Sequence, residues 1–330
     1  VAVFKDRALP AGFTLAVFRP EDASGVVACY REMYGDNFPM RYVYDPQAIV
    51  EKNVHGGQHT LVVRSPKNDV AGLAGLIPVD PENGLYEASQ LMVRRAYRSQ
   101  KLGRALNRAV LEDLAPAIGA AAVFGEAVCN STISQAMSIE YGLLPTGLEL
   151  DVLPGGHGSK ISLLYMFKIF ADRPHSLFAS PQDMDFLQDS CQRLGLTREF
   201  EVGAMPRTAG QTVMDSERLD FAGLVRARVR TMGKDFIDRL DAFLRQNRES
   251  IIQVQVDLAQ QGAPWALDVL RARGFFLGGH LPLWRGTDYL MLQRLPREPD
   301  LDRVQMLPGQ PQRILEMITT DLEQAARQGA

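Results

Sequence analysis

Two segments, GLLPTG at 142–147 and GFFLGG at 274–279, each follow an apolar strand-like run and a helix-like run, and 132 positions separate both Gly142 from Gly274 and Gly147 from Gly279. An ordered series of elements that returns at one offset marks an internal repeat, and each copy must bury its own apolar faces. Strand-helix-strand units also recur by chance, so the reading rests on the whole series and not on the glycines alone. In the first copy, FTLAVF (13–18) has strand character and EDASGVVACYREM (21–33) has apolar residues at helical spacing, with a second helix near 46–52. TLVVRS and VAGLAGLIPV, joined by PKND, form a hairpin pattern. LYEASQLMVRR, LGRALNRAVLEDL, AAVFGEAV, STISQAMSIEYG, LELDVLP and ISLLYMFKIF then alternate strand, helix, strand, helix, strand, strand. In the second copy SIIQVQVDL, APWALDVLRARGF, FLGGHLPLW and DYLMLQRL repeat strand, helix, strand, strand. Between the copies, ADRPHSLFASPQD (171–183) breaks both periods with two prolines and polar residues, which places a boundary there and gives domains 1–172 and 173–330.

The length of 330 residues suits about two domains of ~100–200 each, and 46% hydrophobic with 23% charged residues is the profile of a globular chain. A formal net charge of −3 gives no general attraction for nucleic acid, so basic features must act locally. Cys29, Cys129 and Cys191 are three, widely spaced and without a CxxC pair, which fits neither a disulfide framework nor a zinc knuckle, and a reducing cytoplasm is the expected location. No apolar run of ~18 residues and no basic-then-apolar leader is present in the sequence, so no membrane contact is expected. His55 and His59 have the i, i+4 spacing of a metal pair, but Gly56 and Gly57 break the helix that would align them and no third ligand is near; no metal is expected.

The chemistry concentrates in MVRRAYRSQKLGRAL (92–106), where a strand pattern meets a basic turn and becomes a helix with Gly103 at the join. The first N–H groups of a helix lack partners inside it, and the macrodipole adds roughly half a positive charge, so a pyrophosphate can satisfy several donors at once. Arg98, Lys101 and Arg104 surround the same turn. A basic strand-to-helix turn is also what a solvated surface produces.

Taken with its flanks, EASQLMVRRAYRSQKLGRAL resembles the acyl-CoA-binding segment of the GNAT superfamily of N-acyltransferases: a strand, then Tyr-Arg, then Arg/Gln-x-x-Gly-x-Gly/Ala at a helix start. Tyr97 and Arg98 match without a gap, while Lys101 stands where the first glycine would be. The resemblance covers the first half and implies an α/β (α+β) mixed-sheet fold whose fourth and fifth strands splay to admit the pantetheine arm. It implies acetyl-CoA or another acyl-CoA as cosubstrate, held by backbone groups of Leu91, Met92 and Val93, by the loop and helix start Arg98, Ser99, Gln100, Lys101, Leu102, Gly103, Arg104 and Ala105, and by Asn130 and Ser134. The acceptor would be a small-molecule or peptide amine, with the oligomeric state open.

N-acylation needs a base for the amine and an acid for the departing thiolate. Glu87 meets the family's Glu-x-x-x-Leu-x-Val spacing and is the first base candidate; Glu126, inside an apolar strand, is the second, and for each a structural ion pair is the alternative. Ser138 stands where the family's acid Tyr would be, with Tyr141 three residues later as a substitute. The second half resembles the same fold without its cofactor machinery: TMGKDF offers one glycine and one lysine, Leu270 stands at the Tyr position, and Leu258 is in register with Glu126. Two tandem GNAT-like domains are therefore expected, the first an N-acetyltransferase and the second a degenerate module. The departures at Ser138 and Lys101 leave a non-catalytic acyl-CoA sensor or partner-binding protein as the alternative.

Overall fold

The hairpin pattern at 60–79 folds as the sequence predicts: its near-continuous apolar strands are almost wholly buried, and Asn68, at φ 64°, makes the turn. The computed structural model describes residues 9–203 and 210–329; residues 1–8, 204–209 and 330 of the two expected domains lie outside the described residues. Two compact units divide the chain, Val1–Gly125 and Glu126–Ala330.

In the first unit the elements are β1 (Thr14–Val17), α1 (Ala23–Tyr34), α2 (Pro46–Val54), β2 (His59–Arg64), β3 (Val70–Asp80), β4 (Leu85–Val93), α3 (Leu102–Ala109), α4 (Ala115–Ala117) and β5 (Ala122–Val128), the last running into the second unit. The strands lie in the order β1-β2-β3-β4-β5, antiparallel except for the parallel pair β4 and β5. Val26, Val27 and Tyr30 of α1 pack with Ile49 of α2, Val62, Leu73 and Met92 in one core cluster. Asp22, just before α1, and Arg64 of β2 form a buried pair with two hydrogen bonds of 2.8 and 2.5 Å.

The second unit holds α5 (Ile133–Glu140), β6 (Leu144–Pro154), β7 (Lys160–Ile169), β8 (His175–Ala179), α6 (Pro181–Leu194), β9 (Arg198–Val202), β10 (Val213–Leu219), β11 (Leu224–Thr231), α7 (Phe236–Gln246), β12 (Ile251–Asp257), α8 (Ala263–Arg271), β13 (Phe276–Trp284), β14 (Thr287–Arg294) and α9 (Gln310–Gly329). Its main sheet runs β7-β6-β13-β14-β12-β11-β10. The stretch 171–183, where prolines break both sequence periods, carries β8 and the start of α6: Pro181 occupies the first helical turn, where its missing N–H costs nothing, and β8 pairs in parallel with β9. Within the sheet, Gly147 of β6 pairs with Gly279 of β13, so the two glycines matched at the 132-residue offset meet each other. A Cβ on Gly279 would lie 2.4 Å from the Gly147 Cα, which only two glycines permit.

Asp288 of β14 is a buried polar hub. Both its oxygens accept from the Arg198 guanidinium (2.7 and 3.1 Å), Oδ1 accepts the Leu283 N–H (2.9 Å), and His280 Nε2 donates to Oδ2 at 3.1 Å. With Nε2 donating, the ring's Nδ1 accepts the Ser190 hydroxyl, 2.8 Å away. Burial would raise the Asp288 pKa, but the His280 and Arg198 contacts outweigh it and hold the carboxyl far below the usual range. Cys29, Cys129 and Cys191 are free and buried, and burial pushes each thiol up to about 12.

Two expected outcomes follow from this packing. Gly279→Ala lowers stability by about 3 kcal/mol through overpacking against Gly147, read from urea unfolding of the full chain. Asp288→Asn leaves Asp172, 2.8 Å away, as the remaining carboxylate on the buried Arg198 guanidinium and costs about 3 kcal/mol. Because the folded Asp288 pKa lies below the unfolded value, its stabilisation is present above about pH 4 and is lost as pH falls below it, so acid unfolding is less steep in the variant.

Candidate active site

The parallel ladder between β4 and β5 contains three pairs, Leu85–Ala122, Tyr86–Val123 and Glu87–Phe124, and stops there. β4 runs on to Val93; of its last six residues Ala88, Ser89, Met92 and Val93 pair with β3, and none pairs with β5. Along the β3 side one extra residue is accommodated between Ser89 and Met92, where Gln90 takes φ 63°. Such a bulge bends the strand and disturbs its ladder. Glu87, half-buried, is thus the last β4 residue joined to β5, and Leu91, Met92 and Val93 follow the bulge on the free edge.

Three side chains converge beside this bulge. Tyr42, from the short turn Arg41–Tyr44, donates its hydroxyl to Gln58 Oε1 at 3.0 Å, and Gln90 Nε2 donates to both the Tyr42 oxygen and Gln58 Oε1 at 3.3 Å. Gln58 Nε2 in turn donates to Thr60 Oγ1 at 3.2 Å. Burial raises the Tyr42 pKa; the Gln90 hydrogen bond opposes this and the Glu87 charge adds to it, so the phenol stays protonated. Tyr42, Gln58 and Gln90 are not among the residues that the sequence singles out. Their signal was weak: a polar residue within a strand pattern, and two polar residues flanking a helix.

Beyond Val93 the chain makes a tight turn at Arg95–Tyr97 and enters α3, whose Leu102, Leu106 and Ala109 are buried. Arg98 is exposed and donates Nε to the Val93 carbonyl at 3.3 Å. Ser99 and Lys101 both adopt the left-handed region, at φ 64° and 61°. Lys101 therefore stands in the conformation that a glycine would supply, and the loop closes with its side chain exposed. Ala105 is the first residue of the turn to donate back, to the Lys101 carbonyl, and the N–H groups of Leu102, Gly103 and Arg104 precede it.

The remaining predicted residues lie in the second unit. Glu126 is exposed near the end of β5, and its charge acts on the buried Tyr165 phenol and on Arg226. Arg226 and Gln253 both donate to the buried Glu149 carboxylate, at 2.8 and 2.7 Å. This polar group was also missed, although LVRARVRT and IIQVQVDL alternate polar and apolar residues with period two and so announce a polar sheet face. Asn130 is exposed in the turn after β5. Ser134 sits in the first turn of α5, and its buried hydroxyl has no hydrogen-bond partner among the described residues. Ser138 lies in the last turn of α5, and Tyr141 caps that helix with its carbonyl accepting from Lys168 Nζ at 2.9 Å. Of His55 and His59, the first caps α2 and the second opens β2, so no helix aligns them. One unexpected group, Cys191 with His280 and Asp288, brings potential metal-ligand atoms within 4.8 Å of one another. The Arg198 guanidinium already occupies both Asp288 oxygens, which sets this group against a cation.

Residues 25–137, which contain β4, the bulge and α3, match the acetyltransferase (GNAT) family. No curated protein matches the chain. Solved structures similar to it include the spermidine N-acetyltransferase of Vibrio cholerae in an intermediate state (13% identity, 48% of this chain and 95% of that one, TM-score 0.42). A putative acetyltransferase from Salmonella typhimurium with its cofactor acetyl-CoA gives 17% identity over 52% and 98% of the two chains, TM-score 0.43. A putative phosphinothricin N-acetyltransferase gives 19% over 48% and 99%, TM-score 0.40. The segment 25–137 thus carries a GNAT acetyltransferase domain.

The left-handed Lys101 gives a direct check on this loop. Lys101→Gly removes the Cβ strain at φ 61° and raises the unfolding midpoint by an amount equivalent to about 0.5 kcal/mol, after the extra unfolded-state freedom of glycine is offset. A fall in the midpoint would show that the lysine side chain, and not the backbone conformation, holds the loop.

Proposed function

We propose that the protein transfers an acetyl group from acetyl-CoA to a primary amine by direct attack within a ternary complex. The observation that carries this reading is the early end of the β4–β5 ladder at Glu87, followed by six free-edge residues and a basic helix start. These donors suit acetyl-CoA: an extended amide arm can add to an unpaired strand edge, and a pyrophosphate can lie on the N–H groups at a helix start. Leu91, Met92 and Val93 hold the arm through their backbone, and Arg98, Ser99, Gln100, Lys101, Leu102, Gly103, Arg104 and Ala105 surround the pyrophosphate. Asn130 and Ser134 keep the cofactor-contact roles that the family resemblance implies, and the partnerless Ser134 hydroxyl supports its part in that.

When bound, acetyl-CoA supplies an activated thioester. Glu87 takes the proton of the acceptor amine, with Glu126 as the second carboxylate, and backbone N–H groups beyond Gln90 polarise the thioester carbonyl. Tyr141 or Ser138 returns a proton to the leaving sulfur. Positioning of the two reactants supplies much of the acceleration. Domain 1–172 is the active module in this scheme, and 173–330 is a GNAT-like module without cofactor. The connectivity supports the pairing of the two. β10 and β11 are antiparallel like β3 and β4, β11 and β12 are parallel like β4 and β5, and β13 and β14 form an antiparallel hairpin like β6 and β7. The β11–β12 ladder runs through six pairs, Leu224–Ile251 to Val229–Val256, and so has no early stop comparable to that at Glu87.

Calorimetry with acetyl-CoA, combined with thiol release over a panel of primary amines that includes spermidine, tests the reading. Binding with release from at least one amine is expected; binding without turnover across the panel would favour an acyl-CoA sensor, and no binding would remove both. Glu87→Gln is expected to lower kcat about 100-fold or more while acetyl-CoA affinity stays within twofold, and an unchanged rate would exclude Glu87 as the base.

A further inference from the structure

Gln90 is a non-glycine residue at φ 63° within a strand, a backbone conformation that persists only where the surroundings hold it. Its own side chain holds it: the amide donates to the Tyr42 hydroxyl oxygen and to Gln58 Oε1, and Tyr42 and Gln58 are themselves joined. Gln58 is buried and fixed further by Thr60 of β2. Tyr42 is held by its ring, over which the Lys52 ammonium sits 4.7 Å from the centroid. The three residues come from a turn, a loop and a bulged strand, so the contact ties α2 and its flanks to β4 at one point, next to Glu87.

We infer that Tyr42, Gln58 and Gln90 form a positioning clamp that fixes the β4 bulge, and through it the backbone that polarises the acyl donor's carbonyl. The inference rests on the acetyl-CoA reading given above. Donors that stabilise a developing oxyanion act through placement, and a displacement of about 1 Å costs up to ~100-fold in rate. Binding depends less on the clamp, since the arm and the pyrophosphate are held over many residues outside it. The clamp residues touch neither reacting atom; they act through the bulge.

The test uses the full chain with acetyl-CoA carrying a 13C-labelled carbonyl. Tyr42→Phe keeps the ring and removes the hydroxyl; Gln90→Gly accepts the positive φ and removes the amide, so neither is expected to unfold the protein. In the wild type the bound carbonyl resonance moves downfield. In both variants that movement is expected to shrink by half or more, while the calorimetric Kd for acetyl-CoA changes less than threefold and the unfolding midpoint stays near that of the wild type. A carbonyl resonance equal to the wild type in both variants overturns the clamp. A Kd that rises tenfold with the resonance unmoved also overturns it, because the three residues then serve binding alone. If the wild type binds no acetyl-CoA, the underlying reading fails and the clamp with it. Wild-type binding without a downfield movement overturns the clamp alone.

Discussion

The chemistry of the first unit depends on one ladder that ends early. Two parallel strands that begin in register would normally continue pairing, since every unpaired N–H and C=O on a strand edge must find another partner. β4 gives up that pairing after Glu87 and inserts a bulge at Gln90, so a row of backbone groups is left on its edge. The tight turn at Arg95–Tyr97 then delivers the chain to a helix start rich in arginine and lysine. Backbone donors, a carboxylate and a positive helix terminus are brought into sequence by a single change in strand pairing.

The second unit spends its polar residues differently. Glu149, Arg226 and Gln253 form one buried group, and Ser190, His280, Asp288 and Arg198 form another. Each charge in them has a counter-charge within hydrogen-bond distance, which is the condition for keeping ions away from water. The serine, histidine and aspartate of the second group have the contacts of a nucleophilic triad, yet all three are buried and the aspartate is already neutralised by an arginine. Their arrangement fastens α6 and β9 to the β13–β14 hairpin, and no substrate is needed to explain it.

How much of this was legible in the sequence depended on whether the determinant was local. Strand and helix order followed from period up to β7 and again from β12 to β14, but α6 and β9 to β11 were not read; the loop followed from its basic residues and Gly103. The pairing of Gly147 with Gly279 was not legible: the sequence sets them in a common register, and only the sheet brings them together. β8 was not legible: prolines and polar residues mask a five-residue strand whose partner, β9, lies beyond a helix. The left-handed Lys101 could be located as a departure from pattern but not as a conformation, since lysine carries no preference for positive φ. Tyr42, Gln58 and Gln90 are separated by 16 and 32 positions, and only tertiary packing brings their amide and hydroxyl groups together.

The three cysteines have a practical consequence. Each thiol is buried and held almost wholly protonated near neutral pH, so none is a ready nucleophile toward an aromatic disulfide or an alkylating reagent. Free coenzyme A, by contrast, carries a solvent-exposed thiol. In a mixture with the folded protein, a colour-forming thiol reagent therefore counts the coenzyme A released by the proposed reaction with little background from the protein, and the buried thiols should withstand oxidising handling that would attack an exposed cysteine.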